Sequence, residues 1–435
     1  MKSSFKALRL FIVSCATLAV VTAAEPPLPR PLTLDVALEH ATKHNPFLQR
    51  TREQIREREG VLVEAKSARL PSLATSASYS RTDDGLLESP LYADNNWTVD
   101  VTVRQVLYAG GDVQAKIRGQ REQLEAAKLT FTAALNDTLL LVRQQFYAVL
   151  LNRELIGVQE EALRVLETEL VNARHRREAG SGSDFDVLRA EVALANARPA
   201  LIRARNAYRV AQDKLCATLG SATDSTGQLT DLDVRGQLEV THREIILADA
   251  IGAAHAHRPE LLQQENLIKA AEQSVISARS GYLPTVSALA GYEFTKPSLI
   301  TTTPDRLDGW TAGVQANWNI FEGRATASRV TQARSRVNQT RYAANERSFV
   351  VDVEIRQEHS ALLEADELLG SSTKVVGQAR ESLRLAQARY EAGTATQLDI
   401  LQAQSALTEA RSNFAQAQHD YAVALASLQR AMGSS

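Results

Sequence analysis

Residues 33–220 return at 246–433 with no insertion or deletion between the copies. Pro46 answers to Pro259, Pro71 to Pro284, Trp97 to Trp310, Gly110 to Gly323, Gly180 to Gly393, Asp186 to Asp399 and Gly220 to Gly433, all at one offset (259 − 46 = 213; 433 − 220 = 213). A constant offset means that every element and every loop kept its length. Units this long are not solenoid repeats, which run at roughly 20–50 residues. Two in tandem predict a pseudo-symmetric wall built from one unit used twice. The chain divides into a leader at 1–24, a first unit at 25–220, a linker at 221–245 and a second unit at 246–435.

The leader reads as an export signal. Lys2, Lys6 and Arg9 precede an apolar stretch from Leu10 to Val21, and Thr22-Ala23-Ala24 offers small residues for cleavage before Glu25. The rival is a lipidated Cys15 after Ile12-Val13-Ser14. Only about five apolar residues would then follow Arg9, against the usual ~7–15. No later run reaches the ~18 apolar residues that a membrane-crossing helix needs. A net charge of −2 over 435 residues gives no electrostatic reason to expect nucleic acid. Cys216 is the one cysteine outside the leader and sits on an apolar helix face, so it is expected to be buried and unpaired. His255 and His257 lack Asp, Glu or Cys at ligand spacing, so no metal or other cofactor is expected. No nucleophile–base pattern or phosphate loop stands out, which argues against an enzyme.

Each unit carries two strand patterns, at about 73–83 and 97–107 in the first and about 286–295 and 310–320 in the second. In the clearest, Trp97, Val99, Val101 and Val103 face one side, while Thr98, Asp100, Thr102 and Arg104 face the other. The second copy alternates Trp310, Ala312, Val314, Ala316 and Trp318 against Thr311, Gly313, Gln315, Asn317 and Asn319. Strict alternation marks a strand between two different solvents. All three tryptophans, Trp97, Trp310 and Trp318, fall in these patterns, with Tyr108 and Phe321 closing them. Aromatics at strand ends around an apolar face are the girdle pattern of an outer-membrane barrel; the other reading of the same pattern is a soluble β-subdomain with one buried face. Polar stretches at 84–96 and 296–309 join the strands of each pair.

Helix dominates the rest. Asn45-Pro46 splits a leading helical region, and Pro71 ends it. From Asp112 to Glu178 there is no proline, which at 1.5 Å per residue predicts a helix of roughly 100 Å. Gly180 stops it, and a second helix returns over Ser183–Leu219. Leu194, Ala197, Leu201, Ala204, Tyr208, Ala211 and Leu215 form heptads, echoed by Leu407, Ala410, Phe414, Ala417, Tyr421, Ala424 and Leu428. Arg143 and Arg164 lie on charged helix faces, solvated or paired between helices. Ser183 to Asp186 and Thr396 to Asp399 have the spacing of capping boxes. Four membrane strands cannot close a barrel, since the smallest have about eight, and open edges in lipid leave backbone groups unpaired. The barrel must be shared between chains.

At this point the chain resembles the TolC family of outer-membrane efflux channels. The resemblance covers residues 33–433 and rests on Val106-Leu107-Tyr108-Ala109-Gly110-Gly111, Asn319-Ile320-Phe321-Glu322-Gly323, and Arg389-Tyr390-Glu391-Ala392-Gly393 running into Leu398-Asp399-Ile400-Leu401-Gln402-Ala403-Gln404. It implies a mainly α fold with a transmembrane β part. Four strands per chain would share a twelve-stranded barrel in a homotrimer, above a periplasmic tunnel of long antiparallel coiled-coil helices. It also implies a place in the outer membrane of a Gram-negative bacterium. The partners implied are outer-membrane lipid, a periplasmic adaptor (membrane fusion protein) and an inner-membrane pump of RND, ABC or MFS type. The function implied is the passive exit duct of a tripartite efflux or type I secretion system. The hairpin tips, at about 179–186 and 391–399, would dock the adaptor through Gly180, Ser181, Gly182, Gly393, Thr394 and Ala395. Gate candidates by the same resemblance are Asp399, Tyr390, Asp186 and Gln402. Two departures stand out: Ala395 replaces an arginine found in some members, and Gln402 replaces a second acid. Closure is therefore expected to lean on Tyr390 and packing. The alternative is a periplasmic coiled-coil adaptor or scaffold with no pore.

Overall fold

The computed structural model describes residues 31–83, 85, 95–220, 232–238, 242–296 and 306–434. The leader, with its cleavage site and Cys15, and most of the strand-joining loops and of the inter-unit linker lie outside the described residues. The elements are α1 (Leu34–His44), α2 (Pro46–Ser67), β1 (Ser72–Arg81), β2 (Asn95–Ala109), α3 (Asp112–Glu178) and α4 (Asp184–Leu219), then α5 (Leu247–His257), α6 (Pro259–Arg279), β3 (Thr285–Thr295), β4 (Leu307–Asn317), α7 (Ala325–Glu391) and α8 (Gln397–Ala431). Each long helix, α3 and α7, has 67 residues and spans ~100 Å.

The four strands form one antiparallel sheet in chain order, β1-β2-β3-β4. Its two outer strands, β1 and β4, each have one partner, so among the described residues both edges of the sheet are open. A bulge between Val106 and Tyr108 adjusts β2 near the strand-to-helix switch. One expectation needs correction: β4 ends at Asn317, not near 320. The residue that would face Trp318 in the register is Pro284, which has no N–H for the ladder, and the Trp318 indole N–H donates instead to the Tyr282 carbonyl at 3.2 Å. Asn319 then turns back to Glu322 at 2.6 Å, so the residues that continue the alternating pattern form a turn.

The helical part has two cores at repeat-equivalent places. One joins Ala37, Ala41, Val142, Phe146, Val149, Leu215 and Leu219 of α1, α3 and α4. The other joins Ala250, Ala254, Ile355, Leu362 and Leu428 of α5, α7 and α8. The heptad residues of α4 and α8 are all buried or half-buried. Cys216 is buried in the first core, and burial pushes its thiol up to about 11. Part of the linker packs on this core too. Leu232 and Val234 are buried, and Leu32 bonds Asp233 and Arg235 at 2.9 Å. Arg164 pairs with Glu161 of its own helix at 2.7 Å rather than across helices.

Each α4 or α8 end locks onto the helix break before Pro46 or Pro259. Gly220 (φ +78°) leaves no room for a side chain, because a Cβ there would lie 2.4 Å from the His44 carbonyl oxygen. Gly433 (φ +81°) meets Arg258 at 3.0 Å in the same way. Asn45 caps α2 through the Leu48 N–H (3.1 Å) and donates to the Thr218 carbonyl at 2.7 Å. In the second copy the equivalent residue is Arg258, 1% exposed, which donates to the Ala431 carbonyl at 3.5 Å. Its guanidinium also pairs with Glu260 (3.2 Å) and Glu354. Arg430 joins the same carboxylates to Asp137 of α3, and Arg347 reaches Glu260 at 3.5 Å. Burial pushes the Glu260 carboxyl up, but a backbone hydrogen bond and the two arginines outweigh it and hold it below the usual range.

Candidate functional site at the hairpin tips and the strand girdle

Both hairpins turn on a left-handed glycine, Gly180 (φ +74°) and Gly393 (φ +71°), as a stop after a long helix requires. In the first tip, Ser181 and Gly182 donate backbone N–H groups to the Arg176 carbonyl at 2.9 and 3.0 Å. In the second, Gly393 donates to the Tyr390 carbonyl (3.0 Å) and Thr394 to the Arg389 carbonyl (2.8 Å). Ala395 is half-buried beside them.

Asp186 and Asp399 each act within their own tip. The Ser183 hydroxyl accepts from the Asp186 N–H at 3.2 Å, and the Ser183 N–H donates to the Asp186 carboxylate at 3.3 Å. The Asp399 carboxylate accepts from both the N–H and the hydroxyl of Thr396, at 2.7 and 2.8 Å. These bonds, the backbone one first and the hydroxyl next, hold the Asp399 carboxyl below its ordinary range. Gln402 is exposed on α8.

The contact that joins the tips was not among the sequence candidates. The Arg176 guanidinium of α3 lies over the Tyr390 ring of α7, 4.1 Å from its centroid. A cation within ~6 Å of an aromatic face is attracted by the ring quadrupole. Burial raises the pKa of Glu169, and the charge of Arg176 works against that rise. The only sequence signal was the position of Arg176 in the last turn before Gly180. The repeat offset equates Arg176 with Arg389 (389 − 176 = 213) and so does not single it out as a partner of Tyr390.

At the other end the sheet has two chemically distinct faces. Directly opposed residues of an antiparallel pair share a face, so the register builds one from Tyr79 with Trp97, Ala77 with Val99, Val101 with Tyr292, and Tyr292 with Trp310. Trp310 is 75% exposed on it. The opposite face carries Ser76, Asp100, Glu293 and Gly309 in one row and Thr102, Gly291 and Thr311 in the next. These two rows are polar or tiny, as a water-filled lumen needs. Tyr108, Trp318 and Phe321 stand at the helix end of the sheet and Trp97 at the far end, with Trp310 level with Tyr292 and Val101 between them. From Trp97 to Tyr108, at ~3.3 Å per residue and a tilt of ~40°, the apolar band is about 28 Å tall. That height matches the hydrocarbon layer. No helix among the described residues is long and apolar enough to cross a membrane.

Comparison with known proteins agrees with this geometry. The model of the family described as "Outer membrane efflux protein" matches twice, at residues 37–221 and 250–434, again 213 apart (250 − 37 = 213). The outer membrane efflux protein BepC of Brucella suis is 27% identical over 92% of this chain and 85% of its own. The protein CyaE of Bordetella pertussis is 26% identical over 87% of this chain and 79% of its own. Among solved structures, the channel-forming CusC superposes with a TM-score of 0.78 over 92% of both chains, at 16% identity, and so speaks for the fold. A pore-less adaptor has no support in any of these matches. Two hairpins, one sheet and two matches to one model leave a single conclusion: the chain belongs to the outer membrane efflux protein family and is an outer-membrane channel of Gram-negative type with a large periplasmic helical tunnel.

Proposed function

We propose that three copies share one twelve-stranded barrel and that the hairpin tips form its periplasmic gate. The observation that carries this reading is the four-stranded sheet with both edges open and an aromatic-rimmed apolar face. In lipid each unpaired edge group costs several kcal/mol. Pairing β1 of one copy with β4 of the next removes every edge, and three copies give twelve strands, within the range known for such barrels. The duct is passive. An inner-membrane pump of RND, ABC or MFS type supplies the energy, and a periplasmic adaptor seats on the tips around Gly180, Ser181, Gly182, Gly393, Thr394 and Ala395.

In the gate, Arg176 over Tyr390 holds the second hairpin against the first, and Asp399 fixes the turn that presents Tyr390. Opening separates the guanidinium from the ring and splays α7 and α8 outward. The mass of the detergent-extracted particle, corrected for detergent, tests the assembly. Three times the mass of the processed chain supports the shared barrel. A monomer, or protein released by osmotic shock without detergent, overturns it.

A further inference from the structure

The two repeats act as each other's control where strand becomes long helix. In the first, Leu107 and Tyr108 lead through Gly110 and Gly111 into α3; in the second, Ile320 and Phe321 lead through Gly323 and Arg324 into α7. Gly111 and Arg324 are equivalent and share a left-handed backbone, at φ +87° and +70°. Arg324 is the only non-glycine with positive φ among the described residues. Strain of this kind persists where the surroundings or a function support it.

Arg324 has no protein partner among the described residues. The nearest acid in sequence, Glu322, is held by Asn319 (2.6 Å), Thr326 (3.0 Å) and Arg329 (3.3 Å). Asp112, which opens α3, is Ala325 in the second copy. Arg324 stands instead in a turn with Ile320 (81% exposed) and Phe321 (85%), next to the exposed Trp318. The first repeat shows what an adjoining copy would cover. There β3 and α6 already flank the junction, and a Cβ on Gly110 would meet Leu283 at 2.9 Å. Even so, a Cβ on Gly111 would meet nothing within 4 Å, and Leu107 and Tyr108 stay 59% and 46% exposed. By equivalence, a neighbouring copy leaves Ile320, Phe321 and Arg324 open. At the helix end of the apolar band, what lies outside them is the periplasmic membrane surface.

We propose that the turn from Trp318 to Arg324 is an anionic-phospholipid site of the periplasmic leaflet. Ile320 and Phe321 enter the boundary between acyl chains and headgroups, and the Arg324 guanidinium binds the lipid phosphate, a planar fork on a tetrahedral anion. The site rests on the shared-barrel reading for its lack of cover. Its competitor is a protein ion pair. Glu64 is the equivalent of Ser277, whose hydroxyl donates to Asp112 across the α3–α6 seam, so an adjoining copy brings Glu64 closest to Arg324.

Native mass spectrometry of the detergent-extracted particle, given equal phosphatidylglycerol and phosphatidylcholine, tests the proposal on wild type, R324G, R324K and E64Q. R324G restores the residue that the first repeat uses and relieves the backbone, so it folds. Wild type should retain the anionic lipid about fivefold over the zwitterionic one, the effect of one basic residue at a membrane surface. R324G should lose that preference at unchanged particle mass, while R324K keeps part of it and E64Q keeps all of it. An R324G particle with undiminished preference overturns the site. So does an E64Q particle that falls apart together with R324G while lipid preference stays at wild-type level, since Arg324 then pairs with protein. The wild-type particle mass in the same spectra reports separately on the shared barrel.

Discussion

Replacing Arg176 by Gln removes the charge over the Tyr390 ring and leaves the helix and its glycine stop intact. The guanidinium lies 4.1 Å from the ring centroid at a partly exposed tip, where a cation–π contact is worth ~0.5–1 kcal/mol. With three copies opening together in the proposed trimer, the closed state loses about 1.5–3 kcal/mol. At 1.4 kcal/mol per factor of ten, the open-to-closed ratio rises roughly 10- to 150-fold. Single-channel recording in planar bilayers reads that ratio directly. Tyr390→Leu should give a similar rise, and Tyr390→Phe, which keeps the ring face, should give little. The decisive measurement is the double variant R176Q/Y390L, which should open no more than either single variant. Additive effects would mean that the two residues act on closure through separate contacts, and an unchanged open fraction in R176Q would remove the contact from the gate altogether.

Three further predictions separate packing from gating. Gly220→Ala should cost about 2–5 kcal/mol, from a left-handed side chain and overpacking against the His44 carbonyl. Gly180→Ala, which meets nothing within 4 Å, should cost only ~1–2 kcal/mol, and thermal unfolding of the two extracted variants compares them. Arg258→Asn, which imports the residue of the first repeat, leaves Glu260 and Glu354 short of a buried partner. It should destabilise by about 3–5 kcal/mol in denaturant unfolding, whereas a loss near zero would show that Arg430 alone neutralises them. Asp399→Ala should raise leak conductance; unchanged closure would reduce Asp399 to a helix cap. The Asp399 pKa is lowered in the fold, so its contribution is complete above the ordinary carboxylate range and is lost only as pH falls through the lowered value. Leak through wild type should therefore stay flat from pH 7 to about 5, and a rise in that window would place the pH-sensitive contact elsewhere.

The elements of the fold were legible because each is written in a local pattern. Glycine stops at 180 and 393, the alternation of β2 and the heptads of α4 and α8 depend on neighbours within one segment, and the structure places all of them where the patterns do. Contacts between segments were not legible. Arg176 and Tyr390 belong to different hairpins, and the offset that organises the sequence pairs Tyr390 with Arg177 instead (390 − 177 = 213). Arg258 was not singled out in the sequence, because nothing local shows that Glu354 reaches it or that Arg430 links the same carboxylate to Asp137. The end of β4 was misplaced for a related reason. Alternation reports which face a side chain takes, not whether its backbone has a ladder partner, and Trp318 keeps the pattern while bonding to Tyr282.

The departures from the repeat carry the functional argument. Where the copies agree, as in the glycine stops, the capping boxes and the two helical cores, they build equal halves of a wall. A wall of equal halves has no reason to move one hairpin and hold the other. Three substitutions break the equality at three heights: Arg324 for Gly111 at the membrane rim, Arg258 for Asn45 where the helices break, and Tyr390 for Arg177 at the tip. Their energies are graded in the sense that gating needs. Arg258 is buried and its ion-pair network ties four elements together, so parting it costs several kcal/mol, as a fixed pivot of the proposed gate would require. The Arg176–Tyr390 contact lies near the far end of helices ~100 Å long and costs about 1 kcal/mol or less to part. In the proposed gate, an adaptor bound at the tips would therefore need little differential affinity to open the duct, and the barrel end would stay where the proposed lipid site and the Arg258 network hold it.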